Sequence, residues 1–264
     1  MNGASETLVL CERTDPGIAV LTLNRPEARN ALSRALVANL RRRVDELSTD
    51  EFLRAVVLVG AGERAFCAGA DLVERRSMTV AQLNAHTEAI SDAIEAVAAL
   101  PVPVIGAIRG YALAGGAELT LACDMRIGTT DAVFGFPEVK IGIYPGAGGV
   151  LRLPQLIGPS AANDLLFSGR QVDADEGLRL GLLNAVATSG ELMDIALEKA
   201  REIASNAPLA VRAVKRALRE SEGLPVDQAN EVVRRHRKTL DATADYAEGL
   251  AAFAEKRPPT FTGQ

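Results

Sequence analysis

Gly110-Tyr-Ala-Leu-Ala-Gly-Gly-Ala-Glu-Leu-Thr-Leu-Ala-Cys-Asp124 is the stretch around which the chain is organised. It opens on small residues and passes to Ala117, Leu119, Leu121 and Ala122, a pattern suited to a buried helix. Gly115 and Gly116 stand at the expected helix start, where the first N–H groups lack intrahelical acceptors and the dipole is positive. Backbone without a Cβ lets a ligand come close, so the site reads as a receptor for an anion or oxyanion. Glu118 follows three residues after Gly115, an ionisable group among apolar ones. A plainer reading is a buried helix start that packs closely through its glycines, with Glu118 at a surface or capping position. The stretch alone leaves both readings open.

Composition narrows the field. At 264 residues and 48% hydrophobic, the chain can build a large core as one domain, or as one domain with a small appendage. Met1–Thr7 is polar and lacks the basic, apolar, small order of a signal peptide. No run approaches the roughly 20 apolar residues of a membrane span. Cys11, Cys67 and Cys123 are odd in number and without CxxC spacing, which implies reduced thiols, a cytoplasmic location and no zinc site. His86 and His236 are the only histidines, too few for a histidine metal cluster. The net charge of −5 argues against a nucleic-acid partner.

In chain order, Leu8–Glu12 and Ile18–Leu23 predict a hairpin about Asp15-Pro16-Gly17. Ser33 predicts a helix cap, with Leu36, Leu40, Val44 and Leu47 on the inner face and Arg41, Arg42 and Arg43 solvated. Residues 54–60 read as a buried strand. The Gly60-Ala-Gly-Glu-Arg-Ala65 that follows matches a loose dinucleotide-binding pattern, but residues 65–71 suit a loop rather than the helix that motif requires. A helix is expected from Thr87 to Pro101, carrying Ile90, Ile94 and Val97, then a strand over 102–108 and another over 124–128. The breakers of Ile141–Gly149 predict a turn with close backbone approach before a helix at Val150. Beyond it the chain reads as helical, with a short strand near 182–187. The pattern is α/β with a helical C-terminal region.

Phe66-Cys-Ala-Gly-Ala-Asp-Leu72, the 110–124 stretch and Phe136-Pro-Glu-Val with Pro145-Gly-Ala-Gly-Gly149 stand in the order and spacing of the enoyl-CoA hydratase/isomerase (crotonase) superfamily. Asn24–Leu32 resembles that family's first CoA-contacting loop, and Ala247–Pro259 its C-terminal helix. The resemblance covers nearly the whole chain. It implies a ββα spiral over residues 1–200, a helical trimerisation region over 201–264, and a homo-oligomer, either a trimer or a dimer of trimers. It further implies that Ala70 and Gly115 N–H groups form an oxyanion hole and that Glu118 and Glu138 are the catalytic acids. Arg25, Arg29, Ala68, Asp71, Leu72 and Val73 would lie along the acyl-CoA, and Phe253 and Lys256 would reach the CoA of a neighbouring subunit. CoA is part of the substrate, and no separate cofactor or metal is implied. Ala70–Met78 and the Glu-Lys-Arg-Pro-Pro ending look most like the methylglutaconyl-CoA hydratase branch, which includes an AU-rich-RNA-binding hydratase. The helix that corresponds to its RNA-binding one offers three arginines and no lysine here. Tyr144 is larger than the family's usual residue before that Pro-Gly.

That chemistry suits these residues. Adding water to an α,β-unsaturated thioester builds charge on the thioester oxygen, and losing one aimed N–H donor typically costs about 2.7–4 kcal/mol. One carboxylate must deprotonate water and one carboxylic acid must protonate Cα; Glu118 is assigned the first role and Glu138 the second. The bland alternatives are a surface carboxylate for Glu138, a loop-backbone acceptor for Asp71, core packing for Cys67 and Cys123, a solvated linker position for His86, and half-buried packing for Tyr111 and Tyr144. The expected function is hydration of a short or branched 2-enoyl-CoA, 3-methylglutaconyl-CoA among the candidates. Its rivals are isomerisation on the same fold, RNA binding, and non-catalytic acyl-CoA binding.

Overall fold

The structure is a computed structural model that describes residues 8–264; the polar Met1–Thr7 segment lies outside the described residues. Six strands form a large sheet: β1 (Val9–Asp15), β2 (Ile18–Leu23), β3 (Ala55–Gly60), β5 (Val104–Ile108), β7 (Met125–Thr129) and β10 (Ala185–Ala187), in that spatial order. A smaller sheet holds β4 (Ala65–Cys67), β6 (Tyr111–Leu113), β8 (Val133–Gly135) and β9 (Gln171–Asp173). The pairs β3/β4, β5/β6 and β7/β8 each give one strand to the large sheet and the next to the small one, and successive pairs stack in parallel. This is the ββα spiral that the resemblance implied. Among the strands of the described residues, β1 with β2, the expected hairpin, and β8 with β9 pair antiparallel.

The helices are α1 (Arg34–Ser48), α2 (Leu72–Arg75), α3 (Val80–Ala99), α4 (Gly115–Leu121), α5 (Gly149–Ile157), α6 (Pro159–Ser168), α7 (Ala174–Leu180), α8 (Leu192–Ala204), α9 (Pro208–Ser221), α10 (Val226–Lys238) and α11 (Ala244–Glu255). The inner strands β2, β3 and β5 of the large sheet are apolar on both faces because both are covered. Val56, Leu58, Val104 and Ile108 pack in one core with Leu36, Leu40 and Val44 of α1 and Ile90, Ile94 and Val97 of α3. On the opposite face Ala55, Val57, Ile105 and Ile127 meet Leu192, Ala196 and Ala200 of α8. Position 200, where the sequence reading ends the spiral, falls inside that helix.

Ser33 caps α1 as expected, its hydroxyl accepting from Leu36 N–H at 3.2 Å. Arg41 pairs with Asp45, and Arg42 and Arg43 pair with Glu46, all on the exposed face. The strand that ends at Gly60 is followed by β4 and not by a helix, so a dinucleotide fold is absent there, and residues 65–67 are a strand where a loop was expected. The largest correction concerns α3. It begins after Thr79, eight residues before Thr87, held by a capping box in which Thr79 and Gln82 exchange side-chain and backbone bonds. His86 is therefore a buried helix residue, 2% exposed, and not a solvated linker position. Tyr144, at 69% exposed, does not pack either.

The C-terminal helices are tied to the spiral. Lys215 of α9 donates to Asp124 Oδ2 at 2.6 Å and to the Val102 carbonyl at 2.9 Å. Arg54 donates to the carbonyls of Ala204 at 2.8 Å and Phe261 at 2.9 Å. Asp245 of α11 accepts from the N–H groups of Thr262 and Gly263, folding the tail back on its own helix. Among the described residues, no helix is long and apolar enough to cross a membrane.

Candidate active site

The three small-sheet strands from the spiral end at one place. After β4 comes the Ala68–Asp71 loop, after β6 the helix α4, and after β8 the 3-10 turn Pro137–Ile141. Helix and strand meet backbone to backbone: a Cβ added at Gly116 would lie 2.1 Å from the Cys67 carbonyl oxygen. A Cβ at Gly69, whose φ is +85°, would lie 2.8 Å from Ala114 Cβ and 3.2 Å from Gly115 N. Ala114 itself holds φ 51° and ψ −127°, a conformation that costs a non-glycine residue on the order of 1–3 kcal/mol and clusters at functional sites.

Two amides open into this corner. Leu32 N–H donates to the Gly69 carbonyl at 2.8 Å, and Asp71 N–H donates to the Leu32 carbonyl at 3.2 Å. That parallel bridge turns the intervening Ala70 N–H away from Leu32. Gly115 is the first residue of α4, so its N–H has no intrahelical acceptor. Among the described residues neither amide donates to a protein group.

Glu118 projects from the first turn of α4 and is 3% exposed. Its Oε1 accepts from Ala147 N–H at 2.7 Å and Gly149 N–H at 2.9 Å. The breaker-rich turn over 141–149 thus wraps a carboxylate, which is the close backbone approach read from its sequence. Burial pushes the Glu118 carboxyl above the ordinary range, against the Gly149 and Ala147 amides and Arg152, which favour the ionised form.

Glu138 follows Pro137, whose ring sets the entry to the 3-10 turn that Gly142 closes in the left-handed region. At 6% exposed it is no surface carboxylate. Its Oε2 is buried and has no partner among the described residues. Burial pushes its carboxyl up to about 7, and the nearby Glu118 charge adds in the same direction. Two carboxyls therefore converge, both raised by burial but differently held. Glu118 accepts from two amides, and Glu138, at about 7, carries a proton part of the time near neutral pH.

The remaining sequence candidates separate into groups. Asp71 caps α2, accepting from Val73 and Glu74 N–H at 3.0 Å each, and pairs with Arg25 Nη1 at 2.5 Å. Burial pushes its carboxyl up, but the Glu74 amide and Arg25 outweigh burial and the net direction is down. Arg25 is thus a brace for the loop. Arg29 is exposed, and its carbonyl accepts from Ala68 N–H at 3.0 Å, so a solvated cation stands beside the amide cradle. Leu72 and Val73 are exposed on α2. Phe253, 86% exposed, and Lys256 sit on and just after α11, outside the elements packed around α4. The sequence reading missed the role of Ala147 and Gly149 as donors to Glu118, and the strained Ala114. For the first, the glycines of 146–149 signalled a close backbone approach but not its partner; the second had no signal, since alanine there suggests no strain.

A ββα spiral that brings two buried glutamates beside open backbone amides defines a class of acid–base enzyme. The model of the enoyl-CoA hydratase/isomerase family matches residues 13–264, and the chain belongs to that family. It is 40% identical over 260 residues to the mitochondrial methylglutaconyl-CoA hydratase of Mus musculus, covering 96% of this chain and 82% of that protein. It is 39% identical over 240 residues to the short-chain-enoyl-CoA hydratase of Clostridium acetobutylicum, covering 91% and 92%. The crystal structure of an enoyl-CoA hydratase from Bacillus anthracis superposes with a TM-score of 0.96 at 40% identity, covering 98% of this chain and all of that one. Members of this family act on acyl-CoA thioesters and are usually oligomeric.

Proposed function

We propose that the protein is a hydratase that adds water across the 2,3-double bond of a short or branched 2-enoyl-CoA, 3-methylglutaconyl-CoA among the candidates. The observation that carries this is a pair of buried glutamates in unlike surroundings: Glu118 accepts two backbone N–H bonds, whereas Glu138 Oε2 has no partner among the described residues. Isomerisation needs one carboxyl to shuttle one proton, whereas hydration uses a base for water and an acid for carbon.

In this reading the thioester oxygen accepts from the N–H groups of Ala70 and Gly115. Glu118, its charge supported by the Ala147 and Gly149 amides, takes a proton from water as the water oxygen bonds to C3. The C2=C3 electron pair moves toward the thioester carbonyl, and the amides stabilise the enolate oxygen without reorganising. Glu138, whose carboxyl is pushed to about 7, delivers its proton to C2. Proton transfer between the two carboxyls restores the starting state.

Arg29 is assigned to the CoA phosphates, and Phe253 and Lys256 to the CoA of a neighbouring subunit. The region from 201 onward is assigned to assembly as a trimer or a dimer of trimers. All three cysteines are free, which suits a reducing compartment, and the protein is assigned to the cytoplasm. The test is kcat/KM across a panel of enoyl-CoA thioesters that includes crotonyl-CoA and 3-methylglutaconyl-CoA. Hydration of at least one at about 10⁴ M⁻¹s⁻¹ or faster supports the reading. Isomerisation of 3-enoyl-CoA with no hydration anywhere in the panel overturns it.

A further inference from the structure

The turn that holds Glu118 is itself held from behind. Arg152 of α5 donates from Nη1 to the Ala147 carbonyl at 3.3 Å, while the N–H of the same Ala147 donates to Glu118. Its guanidinium lies against Gly148, which holds a φ of +101° that favours glycine. Arg152 also pairs with Glu95 of α3, and the other oxygen of Glu95 accepts from Arg219 of α9 at 2.7 Å. The chain Arg219–Glu95–Arg152–Ala147–Glu118 therefore runs from the C-terminal helices to the carboxylate.

We propose that Arg152 is a positioning residue for Glu118, acting through the Ala147–Gly149 backbone and not on the substrate. The inference rests on the assignment of Glu118 as the base that activates water. A guanidinium suits the task because its planar fork can bond a carbonyl and a carboxylate at once, which an ammonium on a flexible stem does less well. It fixes the Ala147–Gly148 peptide, which lies between the two peptides carrying the Ala147 and Gly149 N–H groups, and so holds both donors on Glu118. It also adds a fixed positive charge that favours the ionised form of Glu118. Charged groups that face Arg152 across a cavity of about 700 Å³ are Asp92 and Glu95 from α3, Asp124 and Arg126 at the start of β7, and Arg219 and Glu222 at the end of α9. The titratable neighbour of Glu118 on its other side is Glu138.

The test is the pH profile of 2-enoyl-CoA hydration by the intact protein and its variants, with folding checked by circular dichroism. Arg152→Gln keeps a hydrogen-bond donor and loses the charge. It should lower kcat on the order of 10- to 100-fold with little change in KM, as expected for a misplaced catalytic group. Its acidic limb should move to higher pH, because Glu118 without the cation is harder to ionise. Arg152→Lys keeps the charge and loses the fork, so its acidic limb should return to the wild-type position while kcat stays several-fold low. Wild-type kcat and limb in Arg152→Gln would overturn the inference. If Arg152→Gln does not fold, Arg152→Lys decides alone, and an unchanged kcat there overturns it. Glu118→Gln run alongside separates the two levels. An inactive Glu118→Gln with a normal Arg152→Gln removes only the role of Arg152, whereas an active Glu118→Gln removes the reading beneath it.

Discussion

Replacing Glu138 by Gln should stabilise the protein and disable it together. In the fold this carboxyl is pushed to about 7 from an ordinary 4.5, by burial first and by Glu118 in addition. A raised carboxyl means the folded state disfavours the ionised form. The neutral acid fits freely below about pH 4.5, and the penalty grows as pH rises and is complete above about pH 7. At about 1.36 kcal/mol per unit, the difference between 4.5 and about 7 sets an upper bound of about 3 kcal/mol at pH 8. At pH 5 the same relation leaves less than about 1 kcal/mol. Gln has the shape of the protonated acid and carries no charge. Thermal unfolding of Glu138→Gln should therefore occur several degrees above wild type at pH 8, with the gap narrowing toward pH 5. Activity should move the other way: without a transferable proton, kcat should fall about 10²–10⁴-fold while KM changes little. An unfolding temperature at or below wild type at pH 8 would show that the carboxyl is not held against ionisation, and the reasoning about its proton would fail.

Further outcomes follow from the packing around the site. Gly69→Ala should cut kcat by about 10²–10³-fold, the cost of one displaced oxyanion donor, because its Cβ would strike Ala114 and the Leu113 carbonyl. Gly223→Ala shares the positive φ but meets nothing within 4 Å, so it should cost only about 1–2 kcal/mol of stability and leave kcat near wild type. Equal kinetics for the two would remove the amide-cradle argument. Phe253→Ala should raise KM for CoA thioesters and leave the fold of the protomer intact, since the ring is exposed. A point substitution is needed there because deleting the tail would also break the bonds to Arg54 and Asp245. An unchanged KM would count against a site shared between subunits.

The elements legible from sequence are those with one dominant physical signal. The capped, periodic α1, the apolar run of β3 and the buried start of α4 all stand where residue pattern alone put them. Asp71 meets its own loop backbone, as short acidic side chains in turns do. The errors came where the signal was weak or depended on distant partners. The first turns of α3 present Val80, Ala81, Gln82 and Asn84, with little apolar periodicity. The Thr79–Gln82 capping box was there to be read and fixed the start. A lone Glu138 after proline looks like a surface residue, because its burial is created by elements far away in sequence. The donors to Glu118 lie 29 and 31 residues beyond it, and no local pattern links a glycine turn to a particular carboxylate at that distance. The ββα spiral, its sheets and its helical tail agree with the family resemblance drawn from the quoted motifs.

The central claim is that two glutamates, and not one, perform the reaction. Its most direct test is the rate of Glu118→Gln in two assays: hydration of a 2-enoyl-CoA, and isomerisation of a 3-enoyl-CoA to the 2-enoyl form. The account predicts that Glu118→Gln loses hydration by about 10²–10⁴-fold, and that dehydration of the 3-hydroxyacyl-CoA falls by the same factor because the two directions share a transition state. Near-wild-type hydration by Glu118→Gln, with isomerisation abolished by Glu138→Gln, would contradict it and leave a single-acid isomerase.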